Sequence, residues 1–191
     1  MKNTVFLILF LFILTGCGTN NKKDVTAAED KAVSDLTIAE EKAVSDLTAE
    51  DAVKQIYDEV FDAYIHLPLE KLFTIDFDHK FLSSEFLRLD SIVTEIDKKY
   101  PGELGFRDYN HWVQAQDWEN LSYTIDSTEQ VSDTKAEVWM SISNFGTKST
   151  PLQLSMVKEN GVWKIGDFIA DGRSECSEME HYIEIDNDSG I

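Results

Sequence analysis

Leu152-Gln153-Leu154-Ser155-Met156-Val157-Lys158-Glu159-Asn160-Gly161-Val162-Trp163-Lys164-Ile165 reads as a β-hairpin. Leu152, Leu154 and Met156 alternate with Gln153 and Ser155. Successive side chains on a strand point to opposite faces, so this strand has one apolar and one polar face. Asn160-Gly161 supplies the turn, because a type I′ hairpin needs positive φ at both central positions. A last strand runs from Val162 to Ile169. The alternation also extends upstream: Leu121, Tyr123 and Ile125 alternate with Ser122, Thr124 and Asp126, and Ala136, Val138, Met140 and Ile142 alternate with Lys135, Glu137, Trp139 and Ser141. A four-stranded antiparallel meander, greasy on one side, is the expectation.

The greasy side needs a cover, and the preceding segments provide it. After Thr48, the residues Val53, Ile56, Tyr57, Val60, Phe61 and Tyr64 recur at spacings of three and four, which places them on one helix face. Thr48 with Asp51 forms a capping-box-like start. Pro68 ends the helix by pushing its predecessor out of the helical region. The stretch from Leu69 to Phe77 is apolar and irregular, with room for one turn of helix. Ser83 or Ser84 opens a second helix with Phe86, Leu89, Ile92, Val93 and Ile96 as its buried stripe and Lys98 and Lys99 in its last turn, ending at Tyr100-Pro101-Gly102. Past Asp171-Gly172, a short helix from Glu175 to Ile185 uses Met179, Tyr182 and Ile183, and residues 186–191 form a flexible tail. The fold class is α+β, with a single domain at 48–185 and helices packed on one face of the sheet.

This order resembles the nuclear transport factor two-like, or cystatin-like, superfamily. The motifs that carry the likeness are Phe81-Leu82-Ser83-Ser84-Glu85-Phe86 and Asn160-Gly161-Val162-Trp163-Lys164-Ile165. More narrowly, the stretch from Phe77 to Ile169, with Tyr100-Pro101-Gly102-Glu103 and Ala115-Gln116-Asp117, is similar to a bacterial lipoprotein family of that fold without an assigned activity. The resemblance implies a curved sheet forming a cone with its helices, whose mouth in such folds often takes a small apolar or aromatic ligand. One fold hosts many sites, so function has to be argued from residues.

At the other end of the chain, Lys2 precedes the apolar run from Val5 to Leu14, and Leu14-Thr15-Gly16-Cys17 resembles the lipobox of bacterial lipoproteins. The run is of signal-peptide length, well short of the roughly 20 residues that a membrane span needs. The resemblance implies cleavage after residue 16, palmitate-type acylation of Cys17 and a tethered location in the cell envelope. Gly18 is not the aspartate that retains many such proteins at an inner membrane, which favours the outer membrane in a diderm source. Residues 17–47 are a spacer containing a tandem eleven-residue repeat, Ala27–Thr37 recurring as Ile38–Thr48. Two copies are too few for a solenoid, which needs about three.

The chain of 191 residues carries 17 basic and 36 acidic side chains, and loss of Met1–Gly16 removes only Lys2, leaving 16 against 36 and a net charge of −20. Nucleic acid is excluded as a partner by that balance, since phosphate backbones are bound by clustered Lys and Arg. An acidic surface suits a cationic ligand or a basic partner protein. With Cys17 acylated, Cys176 has no disulfide partner, and its neighbours Glu175 and Glu178 disfavour a thiolate.

The densest chemistry lies at Arg107-Asp108-Tyr109-Asn110-His111-Trp112-Val113-Gln114-Ala115-Gln116-Asp117-Trp118. Asp108, His111, Trp112, Gln116, Asp117 and Trp118 are the candidate ligand-binding residues. Two readings stand. In an enzyme, Asp117 or Asp108 acts as general base with His111 as its partner. In a binding or packing module, Trp112 and Trp118 plug the cone, Gln116 and Asp117 bond backbone at the loop-to-strand junction, and His111 is solvated. Asp76-Phe77-Asp78-His79 offers oxygen and nitrogen donors but reads as a loop near a helix start, so no metal and no cofactor is expected. The reading as a whole is a non-enzymatic envelope lipoprotein that binds a protein or a small ligand. The alternatives are a cone-pocket enzyme and an immunity protein against a basic toxin.

Overall fold

The computed structural model describes residues 47–102 and 104–189. The signal segment, Cys17 and all but the end of the repeated spacer lie outside the described residues.

Helix α1 (Ala49–His66) starts where the threonine motif places it: the Thr48 hydroxyl accepts from the Asp51 backbone N–H at 3.1 Å and donates to the Asp51 carboxylate at 2.7 Å. All six residues of the expected stripe are buried, joined by Ala49, Ala52 and Ala63. Single-turn helices follow as α2 (Leu69–Leu72) and α3 (Phe77–Phe81). Asp76 caps α3, its carboxylate accepting from the His79 N–H at 3.0 Å. Ser83 caps α4 (Ser84–Asp97) by accepting from the Phe86 N–H at 3.2 Å. The α4 stripe buries Phe86, Leu89, Val93 and Ile96, while Ile92 is only half-buried. Lys98 is the C-cap, so neither Lys98 nor Lys99 stands in the last turn.

The sheet has five antiparallel strands, not four, in the order β1-β2-β3-β4-β5. They are β1 (Ser122–Ser132), β2 (Lys135–Asn144), β3 (Thr147–Glu159), β4 (Val162–Ala170) and β5 (Arg173–Ser174). β5 is two residues long, too short for alternation to reveal, and pairs Ile169 with Ser174 and Ala170 with Arg173 across the turn at Asp171-Gly172. The hairpin at Asn160-Gly161 takes the expected form, with φ of 50° and 83° and Glu159 paired with Val162.

Ala136, Val138, Met140, Ile142, Leu152, Leu154, Met156 and Ile165 have no exposed surface, and they join the α1 and α4 stripes in one hydrophobic core. Burying each such Val, Leu, Ile or Met side chain contributes roughly 1.5–3 kcal/mol, which is what holds helices and sheet together. Ser83 links the layers by donating its backbone N–H to the Ile165 carbonyl at 2.8 Å.

Helix α5 (Glu175–Ser189) continues four residues past the expected end, so 186–189 are helix rather than tail. The extension is held from α4's end: Asp186 accepts from the Lys99 ammonium at 2.5 Å and from the Tyr100 hydroxyl at 3.1 Å. Tyr182 donates to Asp97 at 2.9 Å, and Met179 is fully buried beneath the helix.

Candidate functional site

The segment 105–118 owes its shape to local hydrogen bonds. Asn110 donates its backbone N–H to the Ala115 carbonyl at 3.0 Å, and its side-chain oxygen accepts from the Trp112 N–H at 2.9 Å. Gln114, with φ of 54°, closes the loop by donating its amide to the His111 carbonyl at 2.8 Å. The tight turn drives His111, Trp112 and Val113 into the protein, where they are 4 %, 3 % and 1 % exposed.

His111 meets two carboxylates there. Its Nε2 lies 3.1 Å from Asp78 Oδ1, and its Nδ1 lies 3.5 Å from Glu175 Oε1, an ion-pair distance without a hydrogen bond. The imidazole stacks on Phe168 with ring centres 4.7 Å apart. Trp112 Nε1 donates to the same Asp78 oxygen at 2.8 Å. On the far side, Arg107 Nε donates to Glu175 Oε1 at 2.5 Å and its Nη1 to Asp90 at 2.8 Å. A chain of alternating charge, Asp90–Arg107–Glu175–His111–Asp78, thus joins α4, the loop, α5 and α3.

The protonation states follow from that chain. Burial is the largest influence on His111 and works to lower its pKa, but the bond to Asp78 and the contact with Glu175 outweigh it and raise the pKa above the ordinary 6.5. Burial likewise works to raise Asp78, and the bonds from His111 and Trp112 overcome it, leaving the carboxyl below its ordinary value. Both shifts favour the charged pair. Burial, reinforced by Glu175, pushes the Tyr57 phenol up, so it stays protonated. Among the described residues, three buried side-chain polar atoms have no hydrogen-bond partner: Tyr57 Oη, His111 Nδ1 and Glu175 Oε2.

Two clefts open beside this cluster. One of about 280 Å³ is lined by Tyr64, Phe73, Asp78, Asn110, His111 and Trp112, among others. The other, of about 610 Å³, is lined by Phe106, Asp108, Tyr109, Phe168, Glu175 and Glu178, among others.

The structure therefore brings together only some of the expected residues. His111 and Trp112 form the heart of the cluster, and His111 is buried rather than solvated. Asp108 is exposed on the wall of the larger cleft. Gln116 and Asp117 are exposed, and the Asp117 backbone carbonyl accepts from Asn144 at 2.9 Å. Trp118 is half-buried, donating to the Tyr64 carbonyl at 3.2 Å while packing on the Tyr64 ring. The acids that pair with His111 are Asp78 and Glu175, neither of them singled out by sequence. Asp78 reads there as an oxygen donor in a loop near a helix start and not as a partner of His111, and nothing in the spacing links Glu175 to residue 111. Cys176 is occupied as well, its thiol donating to the Gly166 carbonyl at 3.3 Å, and burial and Asp167 push its pKa up.

No family model matches the chain, and no curated protein matches it. Among solved structures, it is similar to the phospholipid-binding protein from Ralstonia solanacearum, determined in complex with a phospholipid. The likeness covers 75 % of this chain and 90 % of that one, at 15 % sequence identity and a TM-score of 0.53. Identity so low speaks for shared architecture alone.

Proposed function

We propose that the chain is a lipid-anchored envelope protein, tethered through Cys17, whose α+β domain is a non-enzymatic binding module for a small molecule. Its fold, on this reading, is the cystatin-like one, and its relatives are the lipoprotein family that its motifs resemble. The observation that carries the non-enzymatic reading is that both nitrogens of His111 face carboxylates. A general base needs a free nitrogen within reach of the proton it removes. Nε2 is taken by Asp78, and Nδ1, 3.5 Å from Glu175 and without a hydrogen-bond partner, is sealed in the interior, so neither nitrogen is open to a substrate proton and the ring instead braces the walls of two clefts. The cleft of about 610 Å³ falls within the about 300–1,000 Å³ of small-ligand sites, and that of about 280 Å³ lies just below it.

A second reading, a phospholipid carrier, draws on the fold shared with the Ralstonia solanacearum protein. It has less support from the interior, where Tyr57, Phe86, Phe168, Met140 and Leu154 fill the space between helices and sheet. Enclosing two acyl chains would require that core to open.

Native mass spectrometry of the full-length protein in a nonionic detergent tests these readings, after incubation with a metabolite panel or with phosphatidylethanolamine–phosphatidylglycerol vesicles. The expected result is a one-to-one adduct with a small molecule that denaturation returns chemically unchanged. Conversion of the compound overturns the non-enzymatic reading. A phospholipid adduct alone establishes the carrier instead, and no adduct at all overturns small-molecule binding. Fractionation tests the tether: Cys17→Ala is expected to release the protein from the membrane fraction, and retention there contradicts acylation.

A further inference from the structure

We propose that the segment 65–75, at the end of α1 away from the tether, is a membrane-docking edge that seats the domain on a zwitterionic phospholipid surface. This rests on the lipid-anchored reading above and adds an orientation to it.

Among the described residues, ten large hydrophobic side chains are exposed, and five of them, Ile65, Leu67, Leu69, Phe73 and Ile75, fall in this one short segment. Phe73 is 71 % exposed and Leu69 55 %. Apolar side chains scattered singly over a surface need no explanation, whereas a concentration of them marks an interaction surface. The chain as a whole carries 17 basic and 36 acidic side chains, but Glu70 and Lys71 cancel within the segment. The result is an apolar, nearly uncharged edge on an acidic protein.

The backbone of the segment suits lipid. An apolar medium offers no partner to a free N–H, so a segment that enters it has to satisfy its own. The Leu67 N–H donates to the Ala63 carbonyl at 2.9 Å, and each residue from Lys71 to Ile75 donates to a carbonyl between Pro68 and Leu72 at 2.9–3.1 Å. The Thr74 hydroxyl donates to the Lys71 carbonyl at 2.7 Å. A partner protein that adds a strand needs backbone donors to spare, and these are spent. Reach is no obstacle. Helix α1 has 18 residues and is about 27 Å long, so the segment lies that far from the start of the helix, where the spacer joins. The stretch from Cys17 to Leu47 spans up to about 100 Å when extended. The tether thus lets this edge face the bilayer and holds the bilayer at high effective concentration. The acidic remainder of the surface is repelled by anionic lipid, which makes the partner a zwitterionic one. Leu72, Phe73 and Ile75 also line the cleft of about 280 Å³, so docking turns that cleft toward the lipid.

Fluorescence quenching by nitroxide lipids tests the edge on the whole acylated protein, purified from membranes and reconstituted into phosphatidylcholine vesicles. In a Cys176→Ser background, an environment-sensitive dye is attached at Phe73→Cys or, separately, at Val131→Cys. Val131 is exposed near the tether end of α1, where the Thr128 hydroxyl donates to Glu50 at 3.2 Å. Nitroxides near the lipid headgroup are expected to quench the dye at 73 about twofold or more above the dye at 131, as for an edge seated about 5–10 Å into the headgroup boundary. Leu69→Glu, an exposed change, is expected to leave Tm unchanged and abolish that excess. Equal quenching at both positions, stronger quenching at 131, or an excess that survives Leu69→Glu overturns the docking edge and leaves the anchor intact. A dye at 73 that is shielded from aqueous acrylamide but untouched by nitroxide lipids puts a protein on this edge and overturns the inference too. An excess that grows when phosphatidylglycerol is added overturns the choice of a zwitterionic surface. Protein that fails to float with the vesicles overturns the lipid anchor itself.

Discussion

The interior beneath α1 and the cluster beneath the 105–118 loop are built on opposite principles, and only the first is dry throughout, since the Asp78, Asp90 and Arg107 side chains keep 40 %, 28 % and 20 % of their surface exposed. Beneath α1, fully buried Val53, Tyr57, Met140, Leu154 and Ile165 meet with almost no polar atoms. Beneath the loop, Asp90, Arg107, Glu175, His111 and Asp78 meet in an ionic chain. Apolar packing stabilises by area removed from water and tolerates small rearrangement. A buried ionic chain stabilises only while each charge keeps its partner, and a well-packed apolar replacement often does as well. In this chain only His111 and Glu175 are withdrawn from water, and each keeps a charged neighbour.

Phe168 belongs to both regions, lying in the core and against the His111 ring at 4.7 Å. Phe168→Ala is expected to cost about 3–5 kcal/mol in denaturant unfolding, more than any other single substitution in either region named below. A loss below about 1 kcal/mol would break the comparison, because the two regions would then not share a wall. A double-mutant cycle on Asp78→Asn and His111→Gln isolates the ionic region. The expected coupling is about 0.5–3 kcal/mol, and additive effects would mean that the 3.1 Å contact carries no energy. Thr48→Ala sharpens the apolar side by removing a cap remote from the cluster. Unfolding is expected to show a loss of about 1 kcal/mol with the pH dependence unchanged.

That pH dependence has a determined sign. His111 is raised above its ordinary value, so its contribution is complete below pH 6.5 and is lost as pH rises through the folded pKa. Asp78 is lowered, so its contribution is complete above pH 3.8 and is lost as pH falls through its folded pKa. Denaturation across pH is expected to show the cluster's full support between roughly pH 4 and 6.5. Asp78→Asn is expected to flatten both flanks of that profile.

The same contrast explains what was legible in the sequence. Strands and helices announce themselves through repeats of two and of three to four residues, so the α1 stripe, the apolar face of the sheet and the Asn160-Gly161 hairpin are readable from the chain alone. Caps are legible too, since Thr48 and Ser83 satisfy backbone donors three residues ahead. The ionic cluster has no period. Asp78 lies 33 residues before His111, and Glu175 comes from the far end of the chain. Asp108 and Asp117 attract notice only because they are neighbours of His111 in sequence. A tight loop turns His111 inward while leaving Asp108 and Asp117 exposed, so proximity along the chain misleads. β5 escapes notice because two residues cannot display alternation. The helical 186–189 segment escapes because its anchors, Lys99 and Tyr100, lie at the end of another helix.

The most direct test of the central claim, that His111 is a charged brace with no nitrogen open to a substrate, is ¹⁵N NMR of the imidazole across pH in the full-length protein. The account predicts that the ring titrates above the ordinary 6.5, with both nitrogens protonated on the acid side of that titration. Asp78→Asn should bring that titration down. A His111 that titrates at or below 6.5 would contradict the account and return the cluster to the catalytic reading.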